Sequence, residues 1–575
     1  MTHFQFSEIA PALIFSRVSI ACIGLFFLCL PFATGQDVPV TQTAENASVV
    51  EPVEPLVIKL SVNEVRLDVV VLDKKTGNPI TDLTAADFEV LQDNKRQDVL
   101  AAVYVDSQSD VIPRSASTRK GVPNLPALPA TALKEEDVRR TILFVIDDYG
   151  MSFENGYYAK MALRNFVEKQ MQTGDLVSIL RTNYGNRALN MFQSDKREVL
   201  ARINALRITM APWRGDAGQG TLEYFMTRLA ENQKSTLSYS FRTLKNMPGR
   251  KILIMLSPTA HPSSAAFYTV NSLYTKLADE ALRAGVVVNL LDIDGLNTLK
   301  TNYVDASVWL SSNFNSTMTQ ESLLQQLQMV RSEPTPSPHP LPAATGGITI
   351  INSNFFLKGI GKDVESLMRG YYLISYEPPP GTFEARDEKG KELYRRLKVR
   401  VNRKNAAVHT RNGFFGSLES EIEAEIPEQD PLIRTIFSPF QSTDLTVNIA
   451  AGYVKDSEAG YLVRSWIHLD PEDVKIVETE DGGSRIDLET LCVTSDINGE
   501  IKDTRRAEFS LSNIKNAEDI AWIRKHGIRF SLLLPVKKPG SYYVRVSVQD
   551  KESGRIGSAY QFLEIPDIGK KGLAL

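Results

Sequence analysis

Two hydrophobic patterns divide this chain. In its middle, short unbroken apolar runs alternate with stretches whose apolar residues recur every three or four positions. The clearest run is Ile142-Leu143-Phe144-Val145-Ile146, which ends in Asp147-Asp148 and then Tyr149-Gly150-Met151-Ser152. A run of this length bounded by turn residues predicts a strand buried on both faces. Beyond it, Ala159, Leu163, Phe166, Val167 and Met171 share one helical face, and Gly174 is placed to end that helix. Residues 176–180 and 188–192 read as strands. Asp195 and Glu198 read as a capping-box start for a helix whose stripe is Val199, Ile203 and Leu206. Leu222, Phe225, Met226 and Leu229 mark another helix, and Val270, Leu273, Tyr274, Leu277 and Ala281 a further one. Strands are expected at 252–256 and 286–291, and residues 364–368 and 371–376 resume the alternation. Such alternation predicts a doubly wound α/β unit, a mostly parallel sheet with helices on both faces.

Period two dominates at both ends. Val65, Leu67, Val69 and Val71 alternate with Arg66, Asp68 and Val70, and Thr76-Gly77-Asn78-Pro79 supplies a turn. Residues 57–105 therefore read as a small N-terminal β unit, too small for a robust core of its own. Near the other end, strands are expected close to 461–468, 485–493, 507–511, 530–534, 542–549 and 559–565. Asp481-Gly482-Gly483 and Pro539-Gly540 punctuate them, which predicts a C-terminal β-sandwich over 442–568.

The remaining segments complete a multidomain plan. Residues 36–56 form a flexible spacer, 106–138 a Pro/Ser-rich linker, 139–416 the α/β unit with an insertion at 294–347, 417–441 an acidic joint, and 569–575 a tail. Residues 393–401 and 406–410 read as an antiparallel extension of the central unit. A chain of 575 residues is too long for one ordinary core, consistent with several units.

Composition changes the picture in three places. The formal net charge is −4 with both signs interspersed, and no basic block points to nucleic acid. Arg17 precedes an apolar run from Val18 to Ala33, and Pro31, Ala33, Thr34 and Gly35 close it. That is the pattern of a cleavable secretory signal over residues 1–35, shorter than a comfortable membrane span. Of the three cysteines only Cys492 lies beyond it, between Leu491 and Val493, which reads as a buried strand residue.

Candidate chemistry is sparse. The six histidines do not share an element with another ligand at metal spacing, and HExxH, GxSxG and GxxxxGK[ST] are all missing. Ser257 and His261 read as a polar strand end and a turn before Pro262 rather than as nucleophile and base. Tyr149, Phe153, Tyr157 and Tyr158 gather near the carboxyl end of the first central strand, and an aromatic rim suits protein contacts.

The order of several short motifs resembles exported bacterial proteins carrying a von Willebrand factor type A-related domain. The motifs are Asp68-Val69-Val70-Val71-Leu72-Asp73 and Leu83-Thr84-Ala85-Ala86-Asp87-Phe88-Glu89-Val90, then Phe144-Val145-Ile146-Asp147-Asp148 and Gly174-Asp175-Leu176-Val177. They continue with Gly249-Arg250-Lys251, Thr345-Gly346-Gly347, Tyr371-Tyr372-Leu373-Ile374-Ser375-Tyr376 and Arg411-Asn412-Gly413-Phe414-Phe415. Gly540-Ser541-Tyr542-Tyr543-Val544-Arg545-Val546 and Gly557-Ser558-Ala559 fit the same proteins' C-terminal sandwich. The resemblance implies secretion and a binding or scaffolding role.

A type A domain commonly holds Mg²⁺ through Asp-x-Ser-x-Ser, a loop Thr and an Asp after the fourth strand, because a hard cation takes oxygen ligands. Here the set is degenerate. Counting from Asp148, the serine positions hold Gly150 and Ser152; counting from Asp147, they hold Tyr149 and Met151. Thr221 is the candidate loop Thr, and Pro258 stands where the last Asp belongs. The metal reading is thus Asp148, Ser152 and Thr221, with Asp147 as an added ligand. The structural reading makes Ser152 a helix cap and the two Asp ordinary strand-end residues. No cofactor is expected, and Mg²⁺ would bind weakly if at all.

The expected function is a non-enzymatic, exported binding or scaffold protein of the periplasm, cell envelope or exterior. Its expected partners are proteins, not nucleic acid, and it meets the membrane only through an uncleaved N-terminal segment. The competing expectation is a hydrolase with its site at the carboxyl edge of the central sheet.

Overall fold

The structure, a computed structural model, describes residues 5–8, 64–107, 134–148, 151–183, 192–208, 222–258, 267–293, 295, 339–351, 353–386, 388, 390, 392–415, 430–438, 440–456, 460–479, 482–514 and 517–567. The expected signal segment apart from residues 5–8, the spacer 36–56, most of the linker 106–138, most of the insertion 294–347, residues 417–429 of the acidic joint and the tail 569–575 lie outside the described residues.

At the centre is a five-stranded sheet in the order Thr349–Ile350, Val286–Asp292, Arg250–Ser257, Arg140–Ile146, Asp175–Arg181. Every neighbouring pair in it is parallel. Strand Arg140–Ile146 is buried along its whole length, as its unbroken apolar run predicts. Its side chains alternate between two cores. Ile142, Phe144 and Ile146 pack with helices Phe153–Lys169, Lys196–Ala205 and Lys362–Arg369. Leu143 and Val145 pack with helices Leu222–Lys245, Phe267–Arg283 and Pro340–Thr345 on the other face. Residues 188–191 of the strand expected at 188–192 lie outside the described residues; just after it, Gln193 forms an antiparallel bridge with Val177.

One strand breaks the expected order. Gly370–Tyr376, read as a return of the alternation, does not join the parallel sheet. It lies antiparallel between Val65–Asp73 and Val99–Asp106. Tyr394–Val401 likewise pairs with Phe88–Gln92, and Ala406–His409 with Val65–Asp73. This corrects the boundary at residue 416: strands from 370–415 complete the β unit begun by residues 64–107, and the α/β unit is inserted between them. The physical reason is burial. Tyr372, Ile374 and Tyr376 extend the apolar face of Val69, Leu67 and Val65 within one sheet, and Val90, Leu397 and Phe414 of a second sheet share the core with it. Asp106 and Gly370 face each other in one ladder, so the insert leaves and re-enters the β unit at neighbouring points.

The two glycines after helix Pro340–Thr345 are fixed by close approach. Gly346 ends the helix at φ 83°, and a Cβ there would lie 2.5 Å from the carbonyl carbon of Thr410. A Cβ on Gly347 would lie 1.9 Å from the carbonyl oxygen of Val288. Leu341 and Ala344 of this helix are buried against the sheet, so that end of the expected Pro-rich arm is part of the core.

Beyond residue 430, two antiparallel sheets enclose one core. One contains Ser484–Asp496, Ile501–Ile514, Gly540–Asp550 and Ile556–Ile565, with short strands Gln5–Glu8 and Val477–Glu478 at its margins. The other is Val447–Asp456, Gly460–Leu469 and Ile528–Val536. Cys492 is buried in this core, and burial pushes its thiol up to about 12. No helix among the described residues is long and apolar enough to cross a membrane.

Candidate functional site

Parallel register brings several polar side chains to one place. Ile146 pairs with Arg181 on one side and with Leu256 on the other. The residues one step further, Asp147, Thr182 and Ser257, therefore end three adjacent strands at the same level, and Asp292 faces Ser257 on the next strand. Open α/β sheets place ligand sites at this carboxyl edge.

The adjacent carboxylates separate, because successive side chains on an extended chain point to opposite faces. Asp147 follows Leu143 and Val145 towards the long helices. Its Oδ1 accepts from the Thr182 hydroxyl at 2.8 Å, and its Oδ2 accepts from the Ser257 hydroxyl at 2.7 Å and from Gln233 Nε2 at 2.6 Å. Gln233 Oε1 in turn accepts from the Tyr274 hydroxyl at 2.5 Å, and the Tyr274 ring meets that of His339 edge-on at 4.4 Å. Asp147 is fully buried. Burial pushes its carboxyl above the ordinary range; the donors from Ser257, Gln233 and Thr182 act against this, and the neighbouring Asp148 adds to it.

Asp148 is equally buried but turns to a cation. Its Oδ2 accepts from Arg181 Nε at 2.7 Å and also meets the NH2 nitrogen of the same guanidinium, while its Oδ1 accepts from the backbone N–H of Asn183 at 3.0 Å. Both nitrogens meet the same oxygen, so the contact is a charge-assisted hydrogen bond through Nε with the second nitrogen close beside it. Ser152 is used locally: its hydroxyl accepts from the backbone N–H of Asn155 at 3.1 Å and caps helix Phe153–Lys169.

The expected metal set is thus divided. Asp148 faces Arg181, Ser152 caps a helix, and Asp147 sits among neutral donors on the opposite face. Thr221 and Tyr149 lie outside the described residues, as does His261. Among the described residues no group of three or more His, Cys, Asp or Glu is arranged to hold a metal ion. The Ser257 hydroxyl donates to Asp147 and is buried, so it is not presented as a nucleophile.

Sequence reasoning missed Arg181, Thr182, Gln233 and Tyr274. A signal for the first two existed. Arg181-Thr182 ends an apolar run as Asp147-Asp148 does, and opposite charges at the ends of neighbouring parallel strands are placed to pair. Gln233 and Tyr274 sit on amphipathic helices, where nothing local distinguishes them.

Just beyond the edge, the first turns of helix Phe153–Lys169 carry two large side chains into solvent, Phe153 at 80% and Tyr157 at 60% exposure. Tyr158 is stacked on Phe356 at 4.2 Å and belongs to the packed side of the same helix.

No family model matches this sequence. No curated protein matches it either. Among solved structures, the chain is similar to an aerotolerance-related membrane protein from Bacteroides fragilis bearing multiple mutations to serine. The two are 13% identical, the match covers 39% of this chain and 98% of that one, and the TM-score is 0.21. At that score the likeness carries no argument about fold or function.

Proposed function

We propose that this chain is an exported, non-enzymatic binding or scaffold protein that works through a von Willebrand A-like α/β unit whose metal-dependent adhesion site is degenerate. The observation that supports this most directly is the pair at the carboxyl edge. The guanidinium of Arg181 takes an oxygen of Asp148, the carboxylate on which the metal reading depends, so a fixed cation of the protein balances it. A partner's carboxylate would then find no open metal position. Contact falls instead to the exposed apolar rim of Phe153 and Tyr157, and aromatic side chains of this kind anchor protein interfaces. The partner is a protein of the envelope or exterior, and the export signal over residues 1–35 supports that location.

Two measurements test the reading. Thermal unfolding of the full chain in millimolar Mg²⁺ and in EDTA should agree within about 1 °C, since a ligand stabilises appreciably only well above its Kd. A reversible gain of roughly 4 °C or more that disappears in Asp148→Ala would restore a metal-dependent site. The full chain is needed: residues 139–416 alone would carry Gly370–Tyr376 without its strand partners.

The second test addresses the rim. A photo-crosslinking amino acid at Tyr157, in the envelope fraction of the producing cells, should give a discrete adduct. The same group at Lys169, at the far end of the helix, should not. Phe153→Ser should reduce the Tyr157 adduct at least about fivefold, as expected for an interface anchor costing about 1 kcal/mol or more. Equal labelling at both positions, or none at either, would remove the rim from the account.

A further inference from the structure

Helix Lys196–Ala205 of the α/β unit packs against the C-terminal sheet that contains Gly540–Asp550 and Ile556–Ile565. Ala201 and Ala205 lie against a small cluster formed by Ile497, Tyr543, Tyr560 and Phe562. Beside it runs a buried polar chain. The side-chain amide of Gln193 donates to the Tyr543 hydroxyl, and Glu198 is the next group in contact with that hydroxyl. Glu198 is 4% exposed, and its Oε2 has no hydrogen-bond partner among the described residues. The cations near it are directed elsewhere. Arg545 donates to the carbonyls of Ile436 at 2.9 Å and Ser438 at 3.1 Å, and Arg202 donates to the carbonyl of Ile179 at 2.7 Å.

A protonated Glu198 is a neutral group that this site accommodates. An ionised one is a buried charge whose Oε2 has no donor among the described residues, and such a group is costly to bury. We propose that Glu198 makes this contact a proton-gated clamp: the α/β unit and the C-terminal sandwich hold together while its carboxyl keeps a proton and loosen when the carboxyl ionises.

The groups around Glu198 leave it as the one that titrates in the neutral range. On its own helix and cap are Asp195, Arg197 and Arg202; strand Gly540–Asp550 contributes Tyr543 and Arg545, and strand Ile556–Ile565 contributes Tyr560 and Glu564. Asp496, at the end of Ser484–Asp496, acts on Arg202. Burial pushes Tyr543 and Tyr560 up, away from neutral pH. Burial also pushes Glu198 up, to about 7; the charge of Asp195 adds to this, while Tyr543, Arg545 and Arg197 oppose it. The closed state therefore binds the proton more tightly than the open one, whose carboxyl has the ordinary value of 4.5. Closure is strongest below that value, weakens by up to about tenfold per pH unit as pH rises towards 7, and levels off above it.

The test uses the full chain with Cys22 and Cys29 changed to serine and dyes placed at Lys169→Cys and Ser553→Cys. Cys492 is buried and stays unlabelled. Energy transfer between the dyes should fall as pH rises from 5 to 9, in a single transition that is complete a little above about pH 7. Glu198→Gln should abolish that transition and keep the high-transfer state throughout. Asp195→Asn, which retains a good helix cap, should move the transition to lower pH by removing a like charge. If Glu198→Gln does not fold, the direction of the Asp195→Asn shift decides. A flat profile in the parent chain, the same transition in Glu198→Gln, or an unmoved transition in Asp195→Asn would each overturn the proposal.

Discussion

Replacing Arg181 with alanine should destabilise the protein by about 3–5 kcal/mol, the usual consequence of leaving a buried charge without its partner. Asp148 is fully buried and the Arg181 side chain is 13% exposed, so little solvent screens the pair. After the change, the partner described here for the Asp148 carboxylate would be the backbone N–H of Asn183. The transition of the α/β unit should fall by roughly 10 °C. Arg181→Lys keeps the charge but loses the planar guanidinium that places Nε on the carboxylate, and should lie between the variant and the parent. A loss below about 1 kcal/mol would mean that the pair is a surface-like contact and that the carboxyl edge is more open than described.

Asp175→Ala should cost a similar amount, again about 3–5 kcal/mol. Arg140 donates to Asp175 through Nε at 2.7 Å and NH2 at 2.6 Å, and both side chains are within 3% of full burial. What remains for the guanidinium is the Met368 carbonyl at 3.3 Å and the Gln170 carbonyl at 3.4 Å, both long contacts. The carboxylate also accepts from the backbone N–H of Gln172 at 2.8 Å, so the turn before strand Asp175–Arg181 would lose a tie as well. Chemical denaturation followed by a probe in the α/β unit measures the effect, and the double change Arg140→Met with Asp175→Ala offers a check. Removing both charges and filling the space apolarly should cost less than stranding either partner.

Local features of the fold were legible in the sequence; long-range ones were not. The run 142–146, the face of the helix after it and the cap at Ser152 depend on residues within one or two turns of each other, so the pattern contained them. The partner of Gly370–Tyr376 depends on strands some three hundred residues earlier, and an apolar strand reads the same in either sheet. Glu198 shows the same limit in a single side chain. Asp195 does cap its helix, accepting from the backbone N–H of Arg197 at 2.8 Å. Glu198, three residues on, has the identity and spacing that would complete a capping box, yet its carboxyl lies with Tyr543. At the site, Asp147 and Asp148 were visible as a pair, and alternation foretold that they would diverge. Their partners Gln233, Ser257 and Arg181 come from three different elements and meet only in the folded sheet. The Thr345-Gly346-Gly347 motif is legible in the sequence only by its order in the chain. Its cause is steric, since Val288 and Thr410 leave no room for a side chain.

The inserted topology also sets a schedule for folding. Val65–Asp73 must wait for Gly370–Tyr376 before its ladder can close. At a synthesis rate of about 5–20 residues per second, that delay is on the order of 15–60 s. During it, the chain carries Val65, Leu67, Val69, Val71 and then Val99, Leu100, Val103 and Val105 as unpaired, strand-forming apolar segments, the kind most prone to pairing with other chains. A protein built this way depends on being held unfolded until its second half arrives. The yield of correctly folded chain should therefore respond to chaperone supply and to translation speed more steeply than its final stability would suggest.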